Sequence, residues 1–352
     1  NATGKAGEVI FSPDEIFKQY SNESALYLSD DFEINDVLKL NFGLRYSSFQ
    51  HSGNLDPITF IKNELKLDTN NHYRHLEPRL SMRYKINPTS SLKASYSENY
   101  QYIHLASTGS VSLPTDLWVP STEIVKPKFS KQIASGYFKN FKEDMYETSV
   151  EIYYKEMENL IEYKEGILPE DNTNSSSDNS FTFGNGDSYG IELLTKKNTG
   201  KITGWIGYTL SKTTRYFDEI NDGNPYPAKY DRRHDLSITS SYKINDSWEL
   251  SGVFVYATGN SITLPSERYI INGNVYTEYT SRNGFRMIPY HRLDLGATYK
   301  PKKEKKFESS WNFSIYNIYN RKNPYFIYLG LENSVDGENG NIQNGNLIPK
   351  AY

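Results

Sequence analysis

The chain has 352 residues, a formal net charge of −4 from 39 basic and 43 acidic side chains, and no cysteine. The near-balance of charge gives no electrostatic footprint for nucleic acid, and zero Cys excludes a disulfide framework and any cysteine metal site. Only 37% of residues are apolar, yet 14% are aromatic, with 30 Tyr against 17 Phe and 4 Trp. Such a surplus of Tyr suits rings with one end in an apolar phase and a hydroxyl in water. No run of about 18 apolar residues exists, which excludes a transmembrane helix but not a membrane. The opening "NATGKAGEVIFSPDEIF" has neither the basic start nor the apolar core of a signal peptide, so the chain reads as cytosolic, or as a mature chain or a fragment.

Taken in order, the segments alternate with a period of two. "LKLNFGLRYSSF" puts Leu38, Leu40, Phe42, Leu44 and Tyr46 on one face and Lys39, Asn41, Gly43, Arg45 and Ser47 on the other, the signature of a β-strand. "RLSMRYKI" repeats this with Leu80, Met82, Tyr84 and Ile86, and "LKASYS" with Leu92, Ala94 and Tyr96. "ETSVEIYYKE" follows with Thr148, Val150, Ile152 and Tyr154, and "ITGWIGYTLS" with Ile202, Ile206, Tyr208 and Leu210. "DLSITSSYKI" gives Leu236, Ile238, Tyr242 and Ile244, and "WELSGVFVY" and "RLDLGATY" continue the pattern. About twelve such segments of roughly 10 to 13 residues are predicted, with no helical period of comparable length.

The connections alternate strictly. Short turns follow Asn87, Asn140, Lys197, Asn245 and Lys300, while long polar connections run from Gln50 to Arg74, Ile103 to Phe129, Glu158 to Asp187, Arg215 to Arg232 and Gly259 to Arg286. One end of the sheet therefore carries tight turns and the other large excursions, the asymmetry of outer-membrane barrels. "RYKIN", "SYKIN" and "TYKPK" place Tyr84, Tyr242 and Tyr299 just before the short turns, which predicts one interfacial aromatic girdle with Lys reaching the headgroups. A soluble sandwich would need a second sheet and protected edges. Turning the apolar faces to lipid and the charged ones to a watery lumen satisfies every strand at once, and explains a mean hydropathy of −0.69.

The stretch from Gly204 to Pro265 makes this specific. Its "YTLSK" upstroke, "YDRRHDLSI" re-entry and "YATGN" ending resemble the barrel of a TonB-dependent outer-membrane receptor of the Bacteroidetes type. "RLDLGATYK" and "SWNFSIYNIYNRKNPY" resemble its penultimate strands, and Ala25 to Tyr46 a mid-barrel hairpin. The resemblance implies an all-β, antiparallel up-and-down transmembrane barrel, with residues 1–352 forming part of one barrel domain of about twenty-two strands. The segments here would be about the tenth to the twenty-first, with the plug domain outside the chain and a last strand expected beyond "NLIPKAY". It also implies residence in the bacterial outer membrane and active transport of a scarce ligand, a siderophore, glycan or peptide. The implied partners are the lipid bilayer, the protein's own plug, a TonB-type energy-coupling protein and, by analogy, a SusD-type surface lipoprotein or other outer-membrane complex subunits. The rival readings are a passive pore or embedded enzyme closed on about twelve strands, a receptor-derived structural subunit of a secretion or assembly complex, and a soluble all-β binding module.

Candidate site residues sit in the long connections. "DRRH", Asp231, Arg232, Arg233 and His234, lies with Tyr226 and Tyr230 where an outer loop re-enters the wall, either lining the mouth or fixing the loop base by ion pairs. Leu117 and Trp118 sit in another loop, where exposed aromatics stack on a sugar, a peptide or a partner, or pack on a neighbouring loop. His51, His72 and His75 offer too few ligands to define a metal site. The oxygen-rich stretches Pro169–Phe181 and Leu331–Asn346 lack the spacing of an EF-hand loop. No nucleophile elbow, phosphate loop or zinc motif appears, and neither a cofactor nor an enzymatic activity is expected.

Overall fold

The alternation that begins at Leu38 continues around a whole sheet. The computed structural model describes residues 20–53, 72–106, 117–165, 177–271, 274–279, 281–301, 309–324, 327–331 and 347–351. Twelve strands pair antiparallel in chain order: β1 (Tyr20–Glu33), β2 (Leu38–Gly53), β3 (His72–Asn87), β4 (Ser90–Gln101), β5 (Lys128–Phe141), β6 (Tyr146–Tyr163), β7 (Phe181–Lys197), β8 (Ile202–Tyr216), β9 (His234–Lys243), β10 (Trp248–Ala257), β11 (Tyr290–Tyr299) and β12 (Trp311–Ile315). Every neighbour along the path is the next of these twelve in sequence, the wiring of an up-and-down barrel wall. Among the described residues, β1 and β12 each pair on one side only.

Register is what makes one face predominantly apolar, with Asp30 on β1 an exception opposite Phe42. Tyr84 lies opposite Leu38 on one side and Leu92 on the other; Leu92 meets Tyr137, Tyr137 meets Val150, and Val150 meets Leu193. The row continues through Tyr208 and Leu236 to Tyr256. A slip of one residue at any ladder would send the set to the other side. The row also climbs: Tyr84 is near the short-turn end of β3, whereas Tyr256 is the penultimate residue at the long-loop end of β10. Such stagger between rows and strands is the shear that a barrel wall requires.

The apolar row is open to the surroundings. Leu28 is 78% exposed, and Leu80, Ile133, Ile152 and Ile206 are exposed as well. In water this continuous patch would drive aggregation, while in lipid it is a solvated surface. On β3 it spans eleven residues, Leu76 to Ile86, and stops at Arg74, which matches the roughly 9–11 residues of a tilted membrane strand. Lys131, Glu156 and Lys212 end it on β5, β6 and β8. The opposite face carries Lys39, Arg83, Lys93 and Glu151.

The repeated "IN" at the short turns has a local cause. The Asn35 side-chain oxygen accepts from the backbone N–H groups of Val37 and Leu38 at 2.9 and 2.8 Å, and Asn245 does the same for Ser247 and Trp248 at 2.9 Å each. Asn87 accepts from Thr89 N–H at 3.0 Å. These Asx turns supply a partner for donors that the ladder no longer uses. Ile34, Ile86 and Ile244 precede them and remain exposed, so the apolar band reaches one position past Phe32, Tyr84 and Tyr242.

Two expectations change. Glu158 to Asp187 is not wholly a loop, because β6 runs on to Tyr163 and β7 starts at Phe181. The pairing shifts register between Met157 and Leu160, where Asn159 adopts φ 56°, and that bulge hides the alternation from a period count. "SWNFSIYNIYNRKNPY" is also not one strand. Strand β12 stops at Ile315, and Asn317 and Asn320 take φ 51° and 52°, a conformation Asn tolerates better than most residues. The Asn317 side chain bonds the N–H and the carbonyl of Arg321 at 3.0 and 2.9 Å and closes the break.

Candidate functional site

Nearly all buried side chains lie at the long-loop end. Ala106, Val119, Val125, Ile161, Tyr163 and Phe181 form one cluster, and Leu160, Phe217, Ile220 and Tyr226 another with Met157 against it. The first arises because the hairpin Ile103–Ala106/Leu117–Pro120 folds onto the extended ends of β6 and β7. The second needs Gly184: a Cβ there would stand 2.5 Å from Cγ of Phe217, so only glycine lets that ring seat.

Polar bonds knit these loops together. Tyr73 donates to the Thr122 carbonyl at 2.5 Å, and Thr122 Oγ1 donates to Asp178 at 2.6 Å. Arg282 donates to the Tyr163 carbonyl at 3.0 Å, and Asn221 N–H to Glu165 at 3.0 Å. Below the hairpin, Ser47 donates to Glu77 at 2.6 Å and lies 2.7 Å from the Tyr102 hydroxyl, which is 2.9 Å from His75 Nδ1. Tyr102 also stacks on Phe49, with ring centroids 5.0 Å apart. The loop after β4 is thereby pinned to the inner wall.

The Asp231–His234 segment is split by the fold. Asp231, with its side chain 1% exposed, accepts from Thr213 N–H at 2.8 Å and from Arg286 at 2.6 Å. Arg286 also donates to the Asp231 carbonyl and, at 3.0 Å, to that of Gly259. Arg233 approaches Asp231 at 3.8 Å, while Arg232 reaches Asn260 at 3.3 Å. His234 lies opposite Leu210 in the apolar row and pairs with the Tyr208 hydroxyl at 2.7 Å, away from the lumen. The residues thus form a joint between two loops, and Arg286, which supplies the strongest contact, had no distinguishing signal in the sequence. Tyr226 pairs with Arg215 and is buried, whereas Tyr230 is exposed beside Lys229.

Trp118 is 64% exposed and edges a shallow recess with Glu23, Tyr100 and Ile103, while its neighbour Val119 points into the core. His72 bonds Ser48 at 2.8 Å and His75 stacks on Tyr100 at 3.7 Å, so the histidines serve separate contacts. Among the described residues no group of three or more His, Asp or Glu is arranged to hold a metal. The oxygen-rich stretches at 169–176 and 332–346 lie outside the described residues. No described helix is long and apolar enough to cross a membrane, a statement about helices alone.

A long antiparallel wall with a lipid-compatible outer face and folded loops at one end defines a barrel of the outer-membrane kind. Residues 2–320 match the family model "TonB dependent receptor-like, beta-barrel", and the chain belongs to that family. The family is one of outer-membrane receptors and transporters, not of enzymes. The fold is similar to BauA, the ferric preacinetobactin receptor from Acinetobacter baumannii, with TM-score 0.56, 17% identity, and coverage of 94% of this chain and 41% of that one. It is also similar to the ferripyoverdine receptor of the outer membrane of Pseudomonas aeruginosa, with TM-score 0.56, 18% identity, and coverage of 88% and 35%. The FrpB iron transporter from Neisseria meningitidis aligns with TM-score 0.54, 15% identity, and coverage of 87% and 43%. The chain thus spans less than half the length of these relatives. No curated protein sequence matches it.

Proposed function

We propose that this wall belongs to an importer that takes a scarce ligand, a siderophore, glycan or peptide, across the outer membrane through a plugged barrel of about twenty-two strands. The observation that carries the reading is the family match over residues 2–320, on a wall with a predominantly apolar outer face and long loops gathered at one end. In this reading residues 1–352 are part of a single barrel domain of the Bacteroidetes type. The plug fills the lumen, a TonB-type protein pulls on it, and a SusD-type lipoprotein is a candidate partner at the mouth. Trp118 and Tyr230, the exposed aromatics, are the candidate ligand contacts among the sequence-predicted residues.

Uptake of labelled ferric siderophores, oligosaccharides and peptides tests this in cells with and without the receptor, and with and without the energy-coupling protein. One ligand class should lose uptake in both deletions. Uptake that needs the receptor but survives without energy coupling would mean a passive pore, and unchanged uptake with a lost secretion phenotype would mean a structural subunit.

A further inference from the structure

The hairpin Ile103–Ala106/Leu117–Pro120 turns one face to the core and the other to the mouth. His104 pairs with Val119 and Leu105 with Trp118, so alternate side chains leave on opposite sides. His104, Ala106 and Val119 are enclosed, whereas Ile103 and Trp118 are exposed. These two edge an open recess of about 570 Å³, completed by Tyr100, Gln101, Tyr102 and Glu23 of β1. It lies on the lumen side. Glu23 pairs with Phe49, and counting from Leu26 and Leu28 in the lipid row, Glu23 falls on the opposite face.

The floor of the recess is fixed before any ligand arrives. Tyr102 stacks on Phe49, and its hydroxyl stands 2.7 Å from Ser47 and 2.9 Å from His75 Nδ1. The His75 ring in turn stacks on Tyr100, with centroids 3.7 Å apart. Rings held this way lose little freedom when a ligand settles on them.

The lining carries one sign of charge. Glu23 is its charged side chain, and neither Lys nor Arg is part of it. Gln101 donates its amide N–H to the Ile103 carbonyl at 2.6 Å, which leaves the side-chain oxygen as a second acceptor. Behind the lining, Arg45 stands 3.6 Å from Glu23 and 3.6 Å from Glu77, so one guanidinium serves two carboxylates. Neither carboxylate has another ion pair among the described residues. Burial pushes the Tyr102 hydroxyl up against its Ser47 bond, and the Glu77 and Glu23 carboxylates add to the rise. Lys128, across the ladder from Gln101, does not line the recess. The place is rich in aromatic surface and acceptors, and one positive charge short.

We propose that this recess holds a cationic nitrogen of the soluble ligand, an ammonium or a guanidinium, against the Trp118 ring and the Glu23 carboxylate. A cation gains from the ring and the carboxylate together, and a guanidinium also stacks flat on an indole. An oxyanion would meet Glu23 with no cation in the lining to offset it. A basic peptide or an amino sugar supplies such a group. Its arrival on an imported ligand rests on the import reading, while the preference for positive charge rests on the lining.

The test is fluorine NMR of the full-length receptor in detergent, labelled with fluorotryptophan, the Trp118 signal being the one lost in Trp118→Phe. Two cations are titrated at about pH 8, where imidazoles are neutral: N-acetylarginine amide, and a methyl glucoside whose primary hydroxyl is replaced by an amine. Their uncharged counterparts are N-acetylcitrulline amide and methyl glucoside. At least one cation should shift the Trp118 signal with a dissociation constant about tenfold below that of its counterpart. The tighter of the two cations tells peptide from sugar as the source. Glu23→Gln should bring each pair to within about twofold. N-acetylaspartate amide, an anion, should leave the signal unmoved.

The subsite is overturned if neither pair shows the preference, if the anion binds as well as the cations, or if the preference survives Glu23→Gln. It is also overturned if no probe moves the Trp118 signal on receptor that keeps its heat-modifiable gel mobility. Binding is read without transport, so the import reading can fail while the recess stands, and the recess can fail while uptake continues.

Discussion

The wall and the mouth are built from one continuous set of strands, yet they are held by opposite means. Between Leu76 and Ile86 on β3, or Ile202 and Leu210 on β8, large apolar side chains are exposed. A few residues further along, Phe217, Ile220 and Tyr226 are enclosed as in a soluble protein. The wall needs no side-chain core because lipid solvates one face and the antiparallel ladders satisfy the backbone between neighbouring strands. The mouth stands in water, so its loops must bury apolar surface against each other to keep a shape.

The sharpest way to break that contrast is to truncate one large apolar side chain in each region. Phe217→Ala empties an enclosed site and should cost about 3–5 kcal/mol, felt in the mouth alone. Ile152→Ala on the lipid face leaves no cavity that lipid cannot fill, and should cost far less. Limited proteolysis of the loops and heat-modifiable gel mobility of the barrel read the two regions separately. Phe217→Ala should speed loop cleavage and leave the mobility alone; an equal effect of both variants would erase the distinction.

A charge scan sharpens the assignment of faces. Leu80→Arg places a cation in the apolar band and should cost about 2–4 kcal/mol. Ser81→Arg, one residue on, projects into the lumen beside Asn41 and Ser95 and should be nearly neutral. Folding yield into bilayers of graded thickness measures both. Reversed sensitivities would mean that the register of β3 is off by one.

What the sequence made legible follows the same division. Parity alone identified the lipid face, because each strand repeats it and ladders merely join like to like. Long-range contacts built the mouth: Arg286 meets Asp231 at a separation of 55 residues, and Arg282 meets the Tyr163 carbonyl across 119. No local period encodes either. The bulge at Asn159 further concealed Leu160, Ile161 and Tyr163, which a strict alternation leaves in a polar loop. Within Asp231–His234, the alternative of an ion-paired loop base corresponds to Asp231, Arg233 and Arg286, whereas His234 turns to the other side of the wall.

Asp231→Asn tests that joint. It removes the carboxylate that faces Arg286 and Arg233 while keeping an oxygen for the Thr213 N–H. Breaking a fully buried pair costs about 3–5 kcal/mol; with 30% of the Arg286 side chain exposed, water recovers part of that, and about 2 kcal/mol is expected. Hydrogen exchange should rise on both sides of the joint, around Ala228–Asp231 and Gly259–Arg286. A rise on one side alone would mean that the two loops are held independently.

The smallest effect belongs to the inner turns, and it bears on whether the short-turn end contributes structure beyond connecting strands. Asn245→Ala takes the acceptor from the Ser247 and Trp248 N–H groups, but both stand in an exposed turn where water substitutes. The expected cost is about 0.5–1 kcal/mol, as for loss of a helix cap. Trp248 and Tyr299 remain paired across β10 and β11, with ring centroids 4.8 Å apart, so the girdle beside the turn should hold. Equilibrium unfolding of the detergent-solubilised receptor by urea measures the loss. A destabilisation of several kcal/mol would mean that the Asx turn sets the register of the β9–β10 hairpin, which would make this end a determinant of the fold.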